Sequence, residues 1–141
     1  MDTNKSVMDW FDLADSDIKG ARDELDSGGD LYASSLCHNA IEYAFKAIIT
    51  HVTNGEEPPK TESLIVLDKK AQLDDKISKE HLVLIKELNY LYAEASYLGY
   101  MGVIIQRHSK KYLYKLIERT TELLCWIKEQ LPNISNDSQV K

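Results

Sequence analysis

Residues 31–52 read LYASSLCHNAIEYAFKAIITHV, and two apolar stripes run through them. Ala33, Leu36, Cys37, Ala40, Ala44, Ala47 and Ile48 recur at helical spacing, and Ile41, Phe45 and Ile49 extend the apolar surface around the cylinder. A helix that is apolar over so much of its girth must be surrounded, which predicts a central place in a helical bundle. The small residues at 33, 40, 44 and 47 let a neighbour come close, because the distance between helix axes follows side-chain size at the crossing. Ser27-Gly28-Gly29-Asp30 precedes this helix, with Asp30 placed as its cap, and Asn54-Gly55 ends it.

The segments on either side supply the surrounding helices. Upstream, from Ser6, the residues Val7, Trp10, Phe11, Ala14, Ile18, Ala21 and Leu25 make an apolar stripe, and Ser6 and Asp9 stand like a capping box. The other face carries Asp12, Asp15, Asp17, Asp23 and Glu24, either a solvated face or a docking surface for a basic partner. Downstream, Glu56-Glu57-Pro58-Pro59 is a connector, and Thr61 to Ala71 reads as a short helix with Leu64, Ile65, Leu67 and Ala71 inward. Ser78 caps a fourth helix with Leu82, Ile85, Leu88, Tyr92 and Ala95 on one face. A last helix starts near Ser109, turns Leu113, Leu116, Ile117, Thr120, Leu123, Leu124, Ile127 and Leu131 inward, and stops before Pro132. These elements predict an all-α fold, an antiparallel bundle of four long helices and one short helix over residues 1–132, with a disordered tail at 133–141. Trp10, Cys37, Ala40, Ala44, Leu88, Leu116 and Ile127 are the expected core.

A chain of 141 residues fits a single domain, and a net charge of −6 argues against a protein that wraps nucleic acid over its whole surface. Cys37 and Cys125 lack metal-ligand spacing and fall in apolar patterns, so both read as buried thiols of a reducing cytoplasm. The acidic start MDTNKSVMDWFDLADSD is unlike a signal peptide, and no apolar run has the roughly 20 residues of a membrane span. A cytoplasmic protein with no membrane partner is the expectation.

The stretch Cys37-His38-Asn39-Ala40-Ile41-Glu42-Tyr43-Ala44-Phe45-Lys46-Ala47 resembles the second-helix signature of the HEPN domain, with Asn39, Glu42 and Lys46 on its motif positions. Trp10, Ala14, Asp17 and Ala21 resemble that family's first helix, Thr61 to Leu67 its Thr-His-Ser-Leu segment, and Glu87-Leu88-Asn89 with Tyr97 the approach to its Arg-Tyr-Pro. The resemblance covers residues 8–131, the last helix included. It implies a helical bundle that forms homodimers, often accompanies a nucleotidyltransferase, and is associated with nucleotide or RNA binding. Many members are metal-independent ribonucleases using an arginine and a histidine separated by four to six residues. Here no Arg/His pair has that order and spacing, Ser96 stands where the arginine would be, and Glu62 replaces the histidine. The departures touch catalysis rather than fold.

Metal-free RNA cleavage needs a base for the 2′-hydroxyl and a cation for the phosphorane. Arg107-His108 offers both residue types, but adjacent residues on a helix point about 100° apart and cannot converge there. Five basic residues and Glu118 nevertheless give residues 102–120 a local charge of +4, and six of the eight tyrosines lie between Tyr90 and Tyr114. Tyrosine faces stack bases, or equally fill the bundle end and a dimer seam. The expected ligand surface is therefore Tyr97, Arg107, His108, Lys110, Lys111 and Lys115, with no catalytic residue assigned. An endoribonuclease using Arg107 and His108, as the toxin of a toxin–antitoxin pair, is the alternative. His38 and Glu42 stand one turn apart but lack a third metal ligand, so a hydrogen-bonded pair is expected, and neither a metal nor another cofactor is called for.

Overall fold

The computed structural model describes residues 3–29, 32–100 and 108–139, excepting the side chains of 99, 100 and 132–139. Among them are five helices and no strand: α1 (Thr3–Asp26), α2 (Ala33–Val52), α3 (Leu64–Lys70), α4 (Lys79–Tyr100) and α5 (Lys110–Gln139). None of these helices is long and apolar enough to cross a membrane.

The second helix is central, in contact with each of the other four. Ala33, Ala40, Ala44 and Ala47 are buried on it, as are Cys37, Ile41, Phe45 and Ile48. Removing Phe45, Ile41 or Ile48 from water stabilises the fold by roughly 1.5–3 kcal/mol each. The α5 positions Leu113, Leu116, Ile117, Thr120, Leu123, Leu124 and Ile127 are all buried, as their spacing requires, and Leu131 is half-buried.

Some expectations need correction. Trp10 is half-buried at the bundle edge, its ring stacked on Tyr43 at 5.8 Å and the Lys46 ammonium 5.5 Å from its centroid. An indole is large enough to cover the core rim without being enclosed. Cys125 is exposed, because it sits one residue past Leu124 and is rotated off the inward stripe; Cys37 is buried, and both thiols are free. Burial pushes the Cys37 thiol up to about 12. On α4 the buried residues include Leu84, Ile85, Leu88 and Leu91, while Leu82, Tyr92 and Ala95 are half-buried, so the core face is turned slightly from the expected one.

Helix limits follow local chemistry. The first helix is already formed at Thr3, which puts Ser6 inside its first turn rather than at a cap. Tyr32 occupies the N-cap of α2 without a side-chain hydrogen bond, and Asp30 lies outside the described residues. Ser63, Ser78 and Ser109 cap α3, α4 and α5, their hydroxyls accepting from the N–H of Val66, His81 and Tyr112. The backbone of α5 continues helically beyond Pro132 to Gln139, later than the stop that proline suggests. Three helices end in the same six-residue reversal, the N–H of Gly29, Gly55 and Leu73 returning to the carbonyls of Glu24, Thr50 and Asp68. The left-handed position is Gly28 (φ 94°) in the first, Asn54 (φ 57°) in the second and Gln72 (φ 63°) in the third.

Glutamine pays a steric penalty in that conformation, so Gln72→Gly should stabilise the protein by about 0.5–1 kcal/mol, read as a higher denaturation midpoint at unchanged m-value. Asp68, 2% exposed in the last turn of α3, has one carboxylate oxygen without a partner. Burial, then the charges of Asp74 and Asp75, raise its carboxyl from the ordinary 3.8 to about 6. The folded state therefore favours the protonated acid, and stability is lost as pH rises from about 4 through 6. Asp68→Asn should flatten that loss and raise the melting temperature at pH 7, while leaving it little changed at pH 3; equal pH profiles for the two proteins would contradict this.

Candidate functional site

The start of α5 builds a cationic groove. Lys111, Lys115 and Arg119 are spaced by four residues, which sets them on one stripe of the helix, and with Ser109 and Tyr112 they line a concavity of 490 Å³. Lys111 and Lys115 are exposed, and neither enters a salt bridge among the described residues. The N-terminus of the helix lies at the same end, and its aligned peptide dipoles add positive potential.

Carboxylates from α4 hold the back of this groove. Arg119 Nη2 is 2.9 Å from Glu87 Oε1, and the Tyr112 hydroxyl donates to the same carboxylate. Burial opposes charge on Glu87, but the hydrogen bonds from Arg119 and Tyr112 outweigh it and hold the carboxyl below its usual range. The Tyr112 phenol is pushed up by burial and by Glu87. One turn-pair further along α4, Glu94 Oε1 lies 3.4 Å from His108 Nε2, and the imidazole stacks on Tyr112 at 5.1 Å. Arg119 and His108 are thus each engaged by a carboxylate, whereas the two lysines form no ion pair among the described residues.

Of the residues read from sequence, Lys111 and Lys115 come together, and His108 sits beside them through Tyr112. Lys110 is exposed at the first position of α5 but does not line the groove, and Tyr97 is 63% exposed on α4. Arg107 and the apolar run Val103-Ile104-Ile105 lie outside the described residues. Arg119, Tyr112 and Glu87 stand outside the expected ligand surface, Arg119 having counted only toward the local basic charge. Glu87 and Arg119 come from different helices, and no local spacing announces such a pair.

The motif positions on α2 form a separate cluster. Glu42 Oε2 and Lys46 Nζ pair at 2.9 Å across one helical turn. His38 is fully buried; its Nδ1 is 3.9 Å from Glu42 Oε1, beyond hydrogen-bond reach, so the expected His38–Glu42 hydrogen bond is replaced by one from Nε2 to the main-chain oxygen of Glu62 at 2.9 Å. Asn39 Oδ1 is 3.5 Å from Nδ1. Tyr92 stacks on the imidazole at 4.1 Å and 16°. The Asn89 side chain accepts the N–H of Leu64 at 3.0 Å, fixing the start of α3 against α4. Ser96, where the family's arginine would stand, lines an open groove with His38, Glu62 and Asn89.

Neither a curated protein nor a solved structure matches this chain. The sequence profile described as HEPN domain matches residues 7–130, almost the whole of the bundle from the first turns of α1 into α5. With that match over most of its length, on a helical bundle whose second helix carries the motif positions Asn39, Glu42 and Lys46, the chain belongs to the HEPN domain family.

Proposed function

We propose that this protein is a non-catalytic binding module for the phosphates of a nucleotide or an RNA segment, acting as a homodimer or beside a partner nucleotidyltransferase. The observation that carries the reading is the stripe of Lys111, Lys115 and Arg119 along one groove, with Tyr112 in its wall. Cations at four-residue spacing track a phosphate backbone, and local field rather than the net charge of −6 governs such contacts. The absence of catalysis rests on the partner of Arg119, the groove's only described guanidinium: Glu87 already neutralises it, and a transition-state cation must be free to follow developing charge. For the homodimer, support comes from α4, where Val83, Tyr90 and Tyr97 recur every seven residues and are 59%, 66% and 63% exposed. Large apolar side chains in one exposed row favour a second surface over water.

One observation favours a second reading. A carboxylate beside an imidazole, as Glu94 stands beside His108, orients a general base, and Arg107 is the neighbouring cation that an endoribonuclease would need.

The tests separate these. A short single-stranded RNA should bind at low salt, and affinity should fall steeply as salt rises; Lys111→Ala/Lys115→Ala should reduce the log–log slope by about one unit per lysine. No binding at low salt would sink the module reading, and cleavage of the RNA that is lost in His108→Ala would replace it with the enzyme. Light scattering at tens of micromolar should give about twice the 16.1 kDa chain mass, and Tyr90→Lys/Tyr97→Lys should return it to one.

A further inference from the structure

The groove beside Ser96 has a volume of 360 Å³ and lies where α2, the approach to α3, and α4 meet. Most of its polar groups are already committed. His38 Nε2 donates to the Glu62 main-chain oxygen, Asn89 Oδ1 accepts from Leu64, and Ser63 Oγ accepts from Val66. The Glu62 carboxylate is different: it is exposed and enters no salt bridge among the described residues. Neither lysine nor arginine is among the described residues lining the groove. Tyr92 stands in the wall near that carboxylate: Glu62, then burial, then the charge of Glu42 push its phenol up to about 12.

We propose that this groove receives the guanidinium of an arginine side chain carried by a partner polypeptide. The site offers acceptors, the Glu62 carboxylate and the hydroxyl of Ser96, to a ligand that has only donors. A planar fork satisfies a carboxylate with two parallel hydrogen bonds, which a compact, strongly hydrated ammonium does not. The open walls select the tip of a side chain rather than a free metabolite: Glu62, Ala93 and Ser96 are all exposed, and a small molecule needs most of its surface enclosed. The groove uses Asn89, Tyr92 and Ser96 of α4, whereas the cationic groove uses Glu87, so the two do not share a side chain.

Backbone amide shifts of the full chain, followed by NMR, test this with four probes: acetyl-Gly-Arg-Gly-amide, its citrulline and lysine counterparts, and guanidinium chloride. The arginine peptide should shift Glu62, Ser63 and Ser96 saturably, with a Kd on the order of millimolar, more than one exposed ion pair alone supplies. Glu62→Gln, a surface change that leaves the core alone, should weaken that binding about fivefold or more. Ser96→Phe should block it by filling the groove. The proposal is overturned if the arginine peptide causes no shift by about 20 mM, if the citrulline or lysine peptide binds equally well, or if guanidinium chloride binds as tightly as the peptide, which would make this a site for small cations.

Discussion

Close approach at α2 is the constraint on which everything else rests. Four buried alanines, at 33, 40, 44 and 47, keep that helix thin enough for the others to pack around it, and Phe45, Ile41 and Ile48 fill what the alanines leave open. Because α2 touches every other helix, its register fixes where each of them presents its polar side chains. A larger residue at Ala40 or Ala44 would move a neighbour outward and with it a wall of one groove or the other. The central helix thus carries little of the candidate chemistry itself, apart from His38, yet sets the geometry of all of it.

The polar architecture outside the core is arranged along α4. One row, Glu87 and Glu94, faces α5 and holds Arg119 and His108. A second, Asn89, Tyr92 and Ser96, faces the start of α3 and the buried His38. A third, Val83, Tyr90 and Tyr97, is left to the outside. These rows differ in chemistry because they differ in neighbour: carboxylates against the cationic helix, hydrogen-bonding groups against an exposed turn, and large apolar and aromatic side chains where no described element covers them.

Much of this was legible in the sequence where information is local. The inward row of α5 from Leu113 to Ile127 follows from spacing alone, and the serine cap at 78, the helix start at Ser109 and the break at Asn54-Gly55 follow from side-chain chemistry within a few residues, whereas Ser63, expected inside the short helix, is its cap. What was not legible is relational. Two overlapping apolar rows in α4 leave its inward direction undecided until α2 and α5 are in place, which is why Leu84 and Leu91 were missed. Trp10 and Cys125 fit apolar patterns yet sit at the rim, because periodicity reports direction but not how far the neighbouring helix extends. Lys111 and Lys115 could be found as a run of charge, but their companion Arg119 and its tether Glu87 belong together only in three dimensions.

The three rows of α4 also constrain how the gene can change. A substitution alters one row and leaves the other two where they were. Inserting or deleting a single residue near Leu84 would instead rotate everything beyond it by about 100°, carrying Tyr90 toward the core and the carboxylates away from α5. The helix is therefore tolerant of altered letters but not of altered length, and indels among homologues belong in the connector at 56–60, whose residues join no helix.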